Sequence, residues 1–336
     1  FADSDADPGG NGTPEAPYAL LNDTLEDIVF GEANTIHATG FFQEEVRVTP
    51  ELGGLDETTR TVFKQWEGKP MPVIDARGTN IPGSIFIITG DYVTLSEFEV
   101  IGATGAANIW AGEGASHPIV EHCISHGATG DSSKGICFSG APYGIMRFNL
   151  VFGIDDIGLY IPGMGSIGVE VHDNESRENG RHGIRANNDA DSLHIHHNFV
   201  HDNGYRGDKN DISGITYTAQ LPRSAMGIVI EDNVVLDEVT GLHIGSGFDI
   251  LVRRNLFLTG EDRGVAVRIS EGITIEDNDI EGYKMGVGLD FSHNLVLRRN
   301  RIVDHSVSGV NLGDSDSTYV ENNFIANNRL SAINLS

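Results

Sequence analysis

Short alternations of apolar and polar residues recur along the chain at a nearly constant interval. The segments V-E-V-H-D-N ending at Asn174, L-H-I-H-H-N at Asn198, I-V-I-E-D-N at Asn233, I-L-V-R-R-N at Asn255, I-T-I-E-D-N at Asn278, L-V-L-R-R-N at Asn300 and T-Y-V-E-N-N at Asn323 share one template: apolar, any, apolar, any, any, Asn. From Asn149 onward the template Asn residues are 25, 24, 35, 22, 23, 22 and 23 apart. One repeat is therefore a coil of 22 to 25 residues, with a single long insertion between Asn198 and Asn233. Eight or nine residues after the Asn comes a second short run: G-L-Y-I from Gly158, G-I-R-A from Gly183, G-L-H-I from Gly241, G-V-A-V from Gly264, G-V-G-L from Gly286 and G-V-N-L from Gly309. In the inserted coil this run starts at Gly214.

Period-two alternation in strands of four or five residues, cut by Asn and Gly corners, suits neither helices nor a flat sandwich. Stacked identical coils instead give parallel sheets in which each template Asn lies over the next, its amide bonding the neighbouring corner. The pattern predicts an all-β fold, a parallel β-helix of about ten coils, and the usual rule for parallel crossovers makes it right-handed. Earlier coils fit the template more loosely. Y-V-T-L-S-E-F98 and P-I-V-E-H-C123 take the same place, so that Cys123 stands where later coils have Asn and reads as a core thiol. Tyr18–Phe30 contains L-L-N-D-T-L-E-D-I-V, an amphipathic pattern suited to capping the open end of a solenoid. The expected organisation over residues 1–336 is one domain: a lead-in and N-terminal cap over 1–80, and stacked coils over 81–336 with the insertion at about 202–226.

Within the first strand of each coil the residues two before the Asn point outward: Glu121, Arg147, His172, His196, Glu231, Arg253, Glu276, Arg298 and Glu321. With coils roughly 4.8 Å apart, this column reads as a solvated charge ladder. The neighbouring His172, His194, His196 and His197 resemble metal-ligand spacing only superficially. A second outward column, four before the Asn, is read as Val229, Leu251, Thr274, Val296 and Thr318, apolar enough to suggest a cover or partner.

The second strand gives a different column: Cys137, Tyr160, Arg185, Thr216, His243, Ala266, Gly288, Asn311 and Asn334. The next outward positions add Asn187, Thr218, Arg268 and Asp290. Tyr, Arg, Thr and His in the middle coils are the side chains that hold a sugar hydroxyl or a uronate carboxylate. The turns entering this strand carry Asp155 and Asp156, then Arg181 and His182, then the loop D-N-G-Y-R-G-D-K-N-D-I-S from Asp202 with Tyr205, Arg206 and Lys209. Insertions in solenoids fall on one face, often the binding face, so function is expected there.

The composition narrows the partner. With 49 Asp plus Glu against 22 Lys plus Arg, the net charge of −27 repels nucleic acid and anionic lipid. No apolar run reaches the length of a membrane span. The opening stretch starts with Phe and has no basic start or apolar core, so it reads as a processed chain of secreted, periplasmic or cell-surface location. Cys123 and Cys137 would pair only if the fold brings them together. Asp3, Asp5 and Asp7 form a D-x-D-x-D run of oxygen ligands suited to Ca²⁺, and Asp202, Asp208 and Asp211 in the inserted loop are a second candidate set.

On an acidic polysaccharide, Arg185, Ca²⁺ or a neutral amide would neutralise the sugar carboxylate and acidify the adjacent C–H. His182 or Lys209 would remove the proton, and Tyr160 or Tyr205 would supply one. Expulsion of the 4-linked sugar makes a lyase, whereas reprotonation from the other face makes an epimerase. Asp155 and Asp156 as an acid pair would instead make a glycoside hydrolase. A non-catalytic adhesin, carbohydrate-binding or structural rod is a third reading.

The openings D-S-D-A-D-P-G-G-N-G-T-P-E-A-P-Y, P-V-I-D-A-R-G and G-D-Y-V-T-L-S-E-F-E-V resemble the broad family of right-handed β-helix carbohydrate-active proteins. E-N-G-R-H-G-I, with Arg181 and His182, is similar to the Arg-His-Gly motif of alginate C5-epimerases, and F-G-I-D, ending in Asp155, to the start of their Tyr-Gly-Phe-Asp-Pro-His motif. Asp156 and Ile157 replace the Pro and His, and the two motifs lie about one coil apart rather than two. The resemblance implies roles for Arg181, His182 and Asp155 on a uronate polymer such as alginate or pectate.

Overall fold

The computed structural model describes residues 1–336 except 113, 164, 189, 207–211, 221–225 and 336. The chain winds into a parallel β-helix. One sheet holds 13 strands, from Ala2–Asp3 to Asp316–Glu321. The other two faces carry parallel stacks that merge into one 22-stranded sheet, because Val234–Gly245 and Leu256–Arg268 run unbroken around a corner. About twelve turns result, more than the sequence template counts, because residues 34–65 already form coils. Asn34–Thr39 and Thr61–Gln65 pair in the first sheet in register with Val93–Ser96. The segment expected to cap the end is a short 3₁₀ helix, Asn22–Asp27, with Leu21 buried beside it. Its entry is fixed by Glu44, whose carboxylate accepts the Leu21 and Asn22 N–H groups at 2.7 and 3.0 Å.

The template Asn residues stack as predicted. Asn174 Oδ1 accepts the backbone N–H of Asn149 at 3.0 Å and its side-chain amide at 2.9 Å, while Asn174 Nδ2 donates to the Met146 carbonyl and to Asn198 Oδ1. The pattern repeats through Asn233, Asn255, Asn278 and Asn300 to Asn323. Cys123 occupies the Asn place, and its N–H donates to Asn149 Oδ1. The residue before each ladder Asn turns the corner in the left-handed region, Asp173 at φ 53° and Arg254 at φ 54°. This conformation costs a non-glycine residue free energy, which the amide bonds of the ladder offset. Inside, Val171, Ile195, Ile230, Val252 and Leu297 are fully buried and stacked coil on coil.

The charge column forms ion pairs at three of its steps, and between them His172 stacks on His196. Arg147 pairs with Glu121 and Arg298 with Glu276, both at 2.6 Å, and Arg253 with Glu231. The half-buried apolar column does run through Val229, Leu251, Thr274 and Val296, but the residue paired with Val296 is Tyr319, not Thr318, which pairs with inward Leu295. Period two makes a one-residue slip exchange faces. Cys123 and Cys137 are both buried free thiols, and burial pushes each pKa up to about 12.

Candidate functional site

The second outward column is in the expected register: Cys137, Tyr160, Arg185, Thr216, His243, Ala266, Gly288 and Asn311 lie on consecutive strands. Asn187, Thr218, Gly245, Arg268 and Asp290 form the next column. Gly183 stands just before this column, where the strand packs closely on its neighbours. A Cβ there would lie 2.4 Å from Val200 Cγ1, so position 183 faces the interior and its neighbour His182 stands on the outer side, beneath Arg185.

His182 is wholly buried. Its Nδ1 faces the Thr216 hydroxyl at 3.2 Å and its Nε2 the Arg185 guanidinium at 3.4 Å. Burial, then Arg185 and Arg181, hold its pKa well below the ordinary histidine range, so the ring is neutral. Arg185 forms no ion pair among the described residues, and its buried Nε has no hydrogen-bond partner. Burial lowers its pKa. The Tyr160 hydroxyl donates to Asn187 Oδ1 at 3.2 Å, and burial raises its pKa.

Two clefts flank this centre. The larger, about 450 Å³, is lined by Ser213, Thr240, His243, Arg263, Arg268 and Asp290 among others. Burial, then Arg263, Arg268 and Arg185, lower the pKa of His243 there. The smaller, about 340 Å³, is lined by Asp131, Asp155, Asp156, Arg181 and Arg206. The two adjacent acids do reach one cleft, as a turn permits, but both are bound to cations. Asp155 accepts from Arg206 at 2.5 Å and from the Gly130 N–H at 2.8 Å. Buried Asp156 takes Lys134 at 2.8 Å and Arg181 at 3.4 Å.

The remaining candidates are dispersed or outside the description. Tyr205 is exposed and its hydroxyl lies 3.4 Å from Asp155 Oδ1. Asp202 pairs with His201 at 2.7 Å. Lys209, Asp208 and Asp211 lie outside the described residues. Asp3 caps a tight turn by accepting the Asp5 N–H at 3.0 Å. Asp3, Asp5 and Asp7 line one surface hollow with Glu15 and Trp66, and among the described residues Glu170, His194 and His196 bring three metal-ligating atoms within 4.8 Å of one another.

Sequence reasoning missed Lys134 and Arg263. Lys134 lies in the His182 column through Ile157, and its ammonium sits 5.2 Å from the Tyr160 ring centre. Extending the Gly158 strand template one coil back would have found it. Arg263 pairs with Asp290 at 2.6 Å across two strands, a contact foreshadowed by their nearby columns.

Comparison with known proteins places this fold. Residues 73–220 match the model of the right handed beta helix region, and residues 208–336 match that of NosD, periplasmic copper-binding protein. No curated protein matches the chain by sequence. Among solved structures, XylC in complex with xylose is 12% identical, with a TM-score of 0.67 over 98% of this chain and 85% of that one. The A-module of the Azotobacter vinelandii mannuronan C-5 epimerase AlgE4 is 14% identical, with a TM-score of 0.56 over 100% and 97%. The GH136 lacto-N-biosidase of Eubacterium ramulus is 11% identical, with a TM-score of 0.65 over 100% and 67%. The chain is a right-handed parallel β-helix protein, and the resemblance read from its motifs holds at the level of fold. The described residues of the NosD-like segment do not fit a copper centre. That segment has no Cys, and its histidines stand apart: His243 on the cleft, His293 against Asp316, and His305 in the core.

Proposed function

We propose that the chain is an exported protein acting on an acidic polysaccharide, and that it removes the proton beside a uronate carboxylate to give β-elimination or C5 epimerisation. The observation that carries this reading is Arg185, a cation without an acid partner among the described residues, in the middle of a column of hydrogen-bonding side chains. In a chain of net charge −27 such a cation lacks the partner that a uronate carboxylate supplies, in a fork geometry guanidinium matches well. The three structural neighbours, named for a xylose complex, a mannuronan epimerase and a biosidase, support a sugar ligand.

In this reading Arg185 neutralises the carboxylate and acidifies the C5–H bond. His243, neutral and lining the larger cleft, accepts the proton. His182, buried beneath Arg185, is a positioning residue that fixes the guanidinium and Thr216. For elimination, the C5–H electron pair forms the C4=C5 bond, the C4–O bond breaks, and Tyr160 protonates the departing oxygen. For epimerisation, the C5 centre regains a proton on the opposite face. Hydrolysis is the weaker reading, because Asp155 and Asp156 are engaged by Arg206, Lys134 and Arg181, cations that favour their ionised form over the protonated acid hydrolysis needs.

Incubation with alginate, pectate and a glycosaminoglycan, with Ca²⁺ or a chelator, tests the proposal. Rising ultraviolet absorbance of unsaturated products identifies a lyase, and altered uronate proton NMR signals without absorbance an epimerase. Reducing ends alone would transfer the assignment to a hydrolase. Silence in all three assays would leave a binding or structural rod and overturn the enzymatic reading.

A further inference from the structure

We propose that Glu170, His194 and His196, on the sheet away from the Arg185 cleft, form a binding site for a divalent transition metal of the zinc class. Strands Glu170–His172, His194–His196 and Ile228–Glu231 pair in parallel, so Glu170 lies beside His194 and His172 beside His196, with Glu231 next. One oxygen of Glu170 and one nitrogen from each of His194 and His196 lie within 4.8 Å of one another. Ligand atoms around a tetrahedral metal with bonds of about 2.0–2.1 Å sit roughly 3.4 Å apart, so side-chain rotation alone closes the set. Two imidazoles and a carboxylate with open positions suit zinc-like ions better than Ca²⁺, which prefers six or more oxygens.

The surroundings are built as an outer shell. His196 Nε2 contacts Glu170 at 2.8 Å, and its Nδ1 lies 2.7 Å from His197 Nδ1, so with Nε2 on a cation the His196 Nδ1–H can donate to His197 Nδ1. His172 stacks on His196 with ring centres 4.9 Å apart and 3° between planes, and is itself held by Asp173 at 2.7 Å. Glu231 contacts His194 at 2.9 Å but is committed to Arg253 and Arg254, which makes it an orienting group rather than a ligand.

The test is titration of the untagged chain with ZnCl₂ by calorimetry, alongside metal content after dialysis, for the wild type and for Glu170→Gln, His194→Ala and the double variant His194→Ala/His196→Ala. The expected result is one equivalent of Zn²⁺ for the wild type, binding at least tenfold weaker for each single variant and absent for the double one. An excess of Ca²⁺ should not compete. Unchanged far-ultraviolet circular dichroism in the variants assigns the loss to ligands rather than to folding. Equal stoichiometry and affinity in the double variant, or competition by Ca²⁺, would overturn the site. This outcome is independent of turnover at the Arg185 cleft.

Discussion

The charge ladder and the cleft face share one backbone geometry and one coil spacing, yet treat charge in opposite ways. On the ladder face three Glu residues each meet an Arg from the next coil: Glu121 with Arg147, Glu231 with Arg253, Glu276 with Arg298. On the cleft face Tyr160, Arg185, Thr216 and His243 follow one another, and among the described residues Arg185 has no acid partner. In the proposed function an outside anion takes the place of that missing acid, in a fork geometry that guanidinium matches. The sharpest way to break this comparison is Arg185→Ala. Removing the cation should lower kcat/KM on the substrate about a thousandfold, roughly 4 kcal/mol, with little change in the thermal midpoint because no internal pair is lost. Retained turnover would show that the break in pairing is incidental.

A second contrast lies between two buried glutamates. Glu231 on the ladder is opposed by burial, but bonds from Arg253 and His194 outweigh it and bring its pKa down to about 2. Glu238 lies inside, in a second amide row formed by Asn179 and Asn203, where its Oε1 accepts from Asn203 at 2.6 Å and its Oε2 has no partner. Burial pushes its pKa up to about 8 from 4.5. Between these two values the folded chain holds a proton that the unfolded chain releases, so the contribution of Glu238 to stability falls as pH rises from about 5 to 8. The loss is on the order of 3 to 4 kcal/mol. Glu238→Gln keeps the acceptor for Asn203 and should remove this slope, becoming more stable than the wild type at pH 8 in urea titrations run at both pH values. Parallel slopes for the two proteins would assign the pH dependence elsewhere.

The amide ladder itself ranks next. Asn255 Oδ1 accepts from the Asn233 N–H and side-chain amide, and its Nδ2 donates to the Ile230 carbonyl and Asn278. Asn255→Ala leaves these buried groups unpaired and should cost about 2 to 3 kcal/mol, read as a lowered urea midpoint. Asn255→Asp, which keeps the acceptor but not the donor, should fall between.

These contrasts also show what the chain reveals before folding. The Asn spacing gave the coil, and the coil placed both outward columns in register across eight strands, because period two and a fixed corner leave little freedom. The early coils were harder to see. Asn34–Thr39 and Thr61–Gln65 lack the Asn corner, so their stacking rests on backbone pairing and apolar burial without an amide ladder. At the site, periodicity gave the side on which His182 stands but not its depth, since its burial depends on Arg185 lying over it. Glu238 escaped notice for a related reason. An inward acid is recognisable only when the amides of Asn179 and Asn203 are known to stack beneath it.

The mildest perturbation separates the two faces most cleanly. Arg298 bonds Glu276 at 2.6 Å and is flanked in register by Glu321 on the other side. Arg298→Glu therefore sets three acids in one column and also removes the partner that orders Glu276. Arg299 still reaches Glu276 at 2.9 Å, and the position is partly solvated, so the cost should be only about 1 kcal/mol at low salt and should shrink as ionic strength rises. Turnover should be unchanged, because the ladder lies on a different sheet from Arg185. Thermal melts at two salt concentrations, with the polysaccharide assay alongside, check both parts. A salt-sensitive loss of stability with full activity confirms the ladder as self-satisfied charge, whereas loss of activity at unchanged stability would make it part of the substrate path.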